Sequence, residues 1–287
     1  MIEHILVATD LTHRSEAALS RAAELAKRFG AALTVLHVVE HDQPEAYVAR
    51  ELEQAGGALC EVSERLRGLV GGPVDVRALA GDSFEVISDI AFKAGVDLVV
   101  LGRHRRRPLR DLFVGTTVER VIWRGTHPVL MVKRDPRGPY GRVGLATDCS
   151  EPSAVALCTA ESLGLLSNAE LSVIHAHIPF AKTLLAANAN AEAVDDHVVG
   201  EMTIARTQLQ EFLVAQGRSD LVSRLYLREG APITALRAFI EEREPDLLVI
   251  GTHGRTGVGR LLLGSVADEA LRSLEVDLLV IPPQAGS

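Results

Sequence analysis

HILVATD, residues 4–10, returns as RVGLATD at 142–148, so a short apolar run closed by Thr-Asp is met twice in one chain. The segments downstream of each run return as well. LTVLHVV (33–39) answers LSVIHAH (171–177) at the separation that takes Asp10 to Asp148. VDLVVLG (96–102) answers PDLLVIG (245–251), and Gly81 answers Gly230 at the separation that takes Gly102 to Gly251. Recurrence in fixed order marks two copies of one structural unit. Comparing the two separations gives the second copy about eleven additional residues, all between His177 and Gly230. The stretch AKTLLAANANAEAVDDHVVGE (181–201) is the natural place for them, since connecting segments tolerate insertion. Its Leu184, Leu185, Ala186 and Ala187 favour a helix and its asparagines oppose one. Such a helix would serve as a lid over a crevice or as a contact for a partner.

Within each copy, runs of Val, Leu and Ile alternate with segments of helical period such as SEAALSRAAELAKRFG (15–30), whose last glycine suits a left-handed helix cap. Strand followed by helix, repeated, predicts a parallel sheet covered on both faces. Five strands are expected per copy. The first five centre on ILVAT, LTVLHV, VDVRAL, DLVVL and PVLMV; the second five centre on VGLAT, LSVIHA, VSRLYL, DLLVI and DLLVIP. The fold class is therefore α/β, with two tandem open five-stranded, Rossmann-like domains at 1–136 and 141–287. The join, KRDPRGPYGR (133–142), has the Pro, Gly and charge of an exposed linker. In such sheets ligands sit at the carboxyl ends of the strands.

Composition narrows the function. The 287 residues are 47% hydrophobic and carry a formal charge of -8, which argues for globular folding and against general nucleic-acid binding. No apolar run approaches the length that spans a bilayer, no signal-peptide pattern opens the chain, and Cys60, Cys149 and Cys158 have no paired spacing. A soluble cytoplasmic protein with reduced thiols and no membrane association is expected.

GTHGRTGVGRLLLGS (251–265) leaves the fourth strand of the second copy. Gly251 and Gly254 allow backbone to approach a ligand closely, and several N–H groups can then face one concavity suited to phosphate. Gly264-Ser265 opens the apolar-periodic VADEALRSL, so a helix N-terminus with free N–H groups joins the same loop. The spacing fits neither the P-loop nor the dinucleotide fingerprint. Taken alone, these glycines also fit a tight turn with a helix cap after it.

The pattern G-x2-G-x9-G-[ST] after strand four, with an aspartate ending strand one, resembles the ATP-binding branch of the universal stress protein family, and two copies resemble its tandem members. The resemblance implies ATP or ADP as ligand, with or without Mg²⁺. It implies phosphate and ribose contacts from Gly251, Gly254, Gly264 and Ser265, an adenosine end at Thr147 and Asp148, and weaker contacts from Ala176 and Val266. It also implies association through the last strands, either inside the chain as a pseudo-dimer or between chains as a homodimer, and an unknown protein partner in stress.

The first copy departs from this pattern. It reads GRHRRRPLRDLFVGT (102–116), with Arg105 in place of the second glycine and Pro108 removing a donor, while Gly102, Gly115, Thr116 and Asp10 are retained. A degenerate site is expected there, with phosphate capture by arginine side chains as the alternative. Other groupings are weaker. Cys149 with His175 and His177 could converge on zinc, but they lack the fourth ligand of a structural site. His253 could act on a phosphate, yet no nucleophile or paired carboxylate accompanies it. Ser15 and Ser153 are read as helix-start residues. The leading expectation is a nucleotide-responsive regulator or scaffold; the alternatives are a slow ATPase or phosphoryl-transfer enzyme using Asp148, His253 and a divalent cation, or a scaffold for another small ligand or zinc.

Overall fold

The computed structural model describes residues 1–103, 116–124, 127–178, 191–252 and 263–282, with backbone alone at 191–198. Gly254, His253, Arg105, Pro108, Gly115 and Leu184 to Ala187 lie outside these residues. In chain order the first copy runs β1 (His4–Ala8), α1 (Glu16–Phe29), β2 (Ala32–Val39), α2 (Glu45–Arg67), β3 (Val74–Ala80), α3 (Ser83–Ala94), β4 (Leu98–Leu101), α4 (Thr117–Arg124) and β5 (Val129–Met131). The second runs β6 (Arg142–Ala146), α5 (Glu151–Ser162), β7 (Glu170–His177), α6 (Ala191–Ala215), a 3-10 turn (Ser219–Arg224), β8 (Leu225–Glu229), α7 (Pro232–Arg243), β9 (Leu247–Gly251), α8 (Ser265–Ser273) and β10 (Asp277–Ile281).

All ten strands form one sheet in the order β3-β2-β1-β4-β5-β10-β9-β6-β7-β8. Each half is parallel, and the halves meet where β5 and β10 pair antiparallel, Leu279 opposite Leu130. The last-strand association implied by the sequence is thus made within the chain. β4 and β10 are buried along their whole length, which is why they read as unbroken apolar runs. Side-chain alternation then divides the core into two layers. Ile5, Val7, Leu145 and Val249 face one side of the sheet, Leu6, Leu36, Leu248 and Ile250 the other, and each layer runs through both copies.

One segment differs from the sequence expectation. Val222 to Arg224 belong to the 3-10 turn, not to the strand, which starts at Leu225 opposite Val173. Buried Leu221 and the Arg218–Asp220 ion pair at 2.9 Å hold that segment as a turn. In the inserted stretch the run VDDHVV (194–199) is helical, as part of α6, in agreement with the expectation.

Candidate functional site

Every parallel strand of a half ends on the same edge of the sheet, and in the second half Thr147, Ala176 and Gly251 all lie on that edge. Immediately after β6, the chain turns sharply at Cys149, whose φ of 63° is left-handed. The turn is held by donors around one oxygen. Asp148 Oδ1 accepts from the Ser150 amide at 3.1 Å, from the Ser150 hydroxyl and from Ser153 Oγ at 2.8 Å. The Cys149 amide donates to Thr147 Oγ1 at 3.0 Å, and His175 Nδ1 donates to the Thr147 carbonyl at 2.8 Å.

The first copy repeats this arrangement almost atom for atom. Leu11 takes the left-handed position at φ 57°, and Asp10 Oδ1 accepts from the Thr12 amide at 3.0 Å, Thr12 Oγ1 at 2.7 Å and Ser15 Oγ at 2.9 Å. Leu11 donates to Thr9 Oγ1 at 3.0 Å, and His37 Nδ1 donates to the Thr9 carbonyl at 2.8 Å. Burial acts to raise the pKa of Asp10, but the hydrogen bonds from Thr12 and Ser15 outweigh it and hold the carboxyl below its usual value. A second echo lies across the crevice: Gly81 and Gly230, at φ 155° and 126°, donate to the Val39 and His177 carbonyls, both at 2.9 Å. As sequence, Ser15 and Ser153 read as helix starts. Ser15 is the N-cap of α1 and Ser153 lies in the first turn of α5, in agreement, and both hydroxyls also fix the aspartate; the signal is the D-x4-S spacing present in each copy.

At the helix after strand four the copies diverge. α4 opens with a capping box: the Thr116 amide donates to Glu119 Oε2 at 2.7 Å and the Glu119 amide donates to Thr116 Oγ1 at 3.3 Å. Glu119 is 1% exposed, and its other oxygen takes Arg272 Nε at 3.0 Å. α8 opens differently. Its N-cap is Gly264, which brings no side chain, and Asp268, the counterpart of Glu119, turns to Arg272 at 3.2 Å. Gly264 itself donates to the Thr252 carbonyl at 2.7 Å, which ties the helix start to the end of β9. Ser265 is exposed there, and Val266 packs partly against the core.

The zinc grouping does not assemble. His175 is buried with Nδ1 on a backbone carbonyl, whereas His177 lies 3.7 Å from Glu201 of α6. Among the described residues no group of three His, Cys, Asp or Glu side chains is placed to hold a metal ion. The described walls of the first crevice border a half-open cleft of about 810 Å³ between Asp10, His37, Tyr47, Asp82, Gly102 and Arg120.

Comparison with known proteins agrees with this architecture. The model of the universal stress protein family matches twice, at residues 1–133 and 139–282. Universal stress protein E of Escherichia coli is 23% identical over 305 aligned positions, covering 99% of this chain and 95% of that protein. Among solved structures, a Pseudomonas aeruginosa protein of unknown function superposes with a TM-score of 0.69 at 23% identity, covering 98% of this chain and 93% of that one. A universal stress protein from Archaeoglobus fulgidus gives 0.68 at 20%, covering 97% and 96%. At these identities the two structures speak for the fold. With both halves matched by one family model, the chain belongs to the universal stress protein family as a tandem member.

Proposed function

We propose that the second domain, residues 141–287, binds ATP or ADP in its crevice, and that occupancy biases the conformation or association of the whole chain so that it acts as a regulator or scaffold. The reading rests on one contrast above all: among the described residues the N-cap of α8, Gly264, puts no side chain on the helix start, whereas Glu119 takes the Thr116 amide just ahead of α4. Open amides at a helix start, together with the positive end of its dipole, are a ready anion site. In this reading Gly251, Gly254, Gly264 and Ser265 hold phosphates and ribose, Thr147 and Asp148 hold the adenosine end, Ala176 and Val266 supply backbone or apolar contact, and Mg²⁺ accompanies the phosphates. A ligand regulates only if its bound and free forms differ in affinity for something else, so a protein partner belongs to the same proposal.

A cytoplasmic location belongs to it too. It is supported by Cys60, Cys149 and Cys158 not being joined in a disulfide, and by the lack, among the described residues, of any helix long and apolar enough to cross a membrane. Calorimetry tests the site: ATP or ADP binds the wild-type chain with one site, and Gly254→Val removes most of that heat because a branched side chain stands where backbone meets phosphate. Unchanged binding in Gly254→Val would contradict the proposal. Rapid multiple turnover of ATP with Mg²⁺, lost in Asp148→Ala, would make the protein an enzyme instead.

A further inference from the structure

We infer that the two domains are coupled at Arg272, one guanidinium shared by the helices that follow their fourth strands, so that an anion held at the start of α8 loosens the start of α4 in the first domain. This rests on the second-domain reading given above and adds the route by which occupancy of that site reaches the rest of the chain.

α8 belongs to the second domain by sequence, yet side chains of the first domain and of the segment after β5 hold it. Lys133 takes the carbonyls at its end, Leu271 at 2.7 Å and Leu274 at 2.5 Å. Glu119 of α4 accepts from Arg272 Nε at 3.0 Å, and Arg103 pairs with Glu275 just beyond the helix. The duplication does not return these contacts. Pro282 stands in the second copy where Lys133 stands in the first, Thr252 stands where Arg103 does, and Trp123 takes the place of Arg272 in the first copy. The hold on α8 is therefore particular to that helix and not a by-product of the repeat.

The two helix starts meet at Arg272. Its Nε carries one hydrogen, and that hydrogen is shared by two carboxylates, with Nε 3.0 Å from Glu119 Oε1 and 3.3 Å from Asp268 Oδ1; a terminal nitrogen lies 3.2 Å from the same Asp268 oxygen. A shared hydrogen strengthens one bond only as it weakens the other. Each acid serves a different helix start. Glu119 is buried and accepts from the Thr116 amide through its second oxygen at 2.7 Å. Asp268 lies in the first turn of α8, its amide bonded to the Gly264 carbonyl at 2.9 Å. Phosphate oxygens at Gly264 and Ser265 add negative charge on the Asp268 side and draw the half-exposed guanidinium toward α8. Glu119 then loses counter-charge while buried, and its hold on the start of α4 weakens. Coupling is reciprocal, so releasing Arg272 from Glu119 tightens the anion at α8.

Two measurements on the full chain test this, with circular dichroism confirming that each variant is folded. The first, amide hydrogen exchange followed by NMR, uses no ligand. Asp268→Asn leaves the Nε hydrogen to Glu119 and slows exchange at the Thr116 amide about two- to fivefold, and Arg272→Gln speeds it by a similar factor, although both substitutions lie in the other domain. The second is calorimetry with ATP and adenosine as probes. Glu119→Gln tightens ATP about two- to fivefold and leaves adenosine, which carries no phosphate, unchanged, whereas a general loosening of the fold weakens both. The inference is overturned if exchange at Thr116 is indifferent to Asp268→Asn and Arg272→Gln, if Glu119→Gln fails to tighten ATP, or if it tightens adenosine equally. A wild-type chain that binds no ATP defeats the second-domain reading itself, and the exchange measurement still decides whether the two helices are coupled.

Discussion

Glu119 and Asp268 occupy matching places, and one methylene separates them. The longer side chain reaches back to the Thr116 amide just ahead of its own helix, while the shorter one pairs forward with Arg272. Two acidic residues of like charge therefore engage the helix start in one copy and turn away from it in the other, which no count of acidic residues would distinguish. His127, beside β5, shows the same dependence on surroundings. Burial lowers its pKa below the ordinary value of 6.5, and the nearby Asp97 only partly opposes that. The unfolded chain therefore takes up the proton first as pH falls. The contribution of His127 to stability is complete above about pH 6.5 and declines as pH drops toward the lower folded value. His127→Asn should flatten the fall in thermal midpoint between about pH 7 and pH 5. An unaltered fall in the variant would assign the acid sensitivity to other groups.

At the scale of elements, the join between the halves is held by a buried polar cluster as well as by strand pairing. Asp277 at the start of β10 is 1% exposed; its Oδ2 accepts from Tyr140 Oη at 2.8 Å and lies 3.7 Å from Arg21 Nε of α1. Its Oδ1 accepts from the Lys133 and Arg134 amides at 2.8 and 3.2 Å. Lys133 in turn caps the last turn of α8 through the Leu271 carbonyl at 2.7 Å. Burial first, then the Asp277 charge, pushes the Tyr140 hydroxyl well above its ordinary pKa, so it stays a donor. Asp277→Ala leaves the Tyr140 hydroxyl and the Lys133 and Arg134 amides without their buried acceptor, while Arg21 keeps Glu24 and the Gly138 carbonyl, and should cost about 1–3 kcal/mol in denaturant unfolding. A loss below about 1 kcal/mol would show that strand pairing alone holds the halves together. None of this was legible in KRDPRGPYGR, which read only as a linker, because the partners of Tyr140 and Lys133 lie more than a hundred residues away. The strands themselves were legible, since buried parallel strands are continuous apolar runs. A compensating exchange also preserves the duplicated core: Gly144 replaces Leu6, and Phe239, replacing Ile90, fills the space so closely that a Cβ on Gly144 would lie 2.5 Å from its ring.

Across the whole molecule, antiparallel pairing of β5 with β10 covers one edge of each half, leaving β3 and β8 outermost. A homodimer of chains would need a different surface. The tandem plan was readable from repetition alone, and the repeated D-x4-S spacing marks the turns at Asp10 and Asp148, but the engagement of Glu119 at the start of α4 depends on side-chain distances that repetition does not carry. The result is a pair of crevices sharing one turn after the first strand and differing where a phosphate would sit. A high-resolution crystal structure of the full chain soaked with millimolar ATP tests this most directly. A nucleotide is expected between Thr147–Asp148 and Gly264–Ser265, with the first crevice free of triphosphate. A second crevice that stays empty or is filled by the protein's own side chains, or a triphosphate seated in the first, would contradict it.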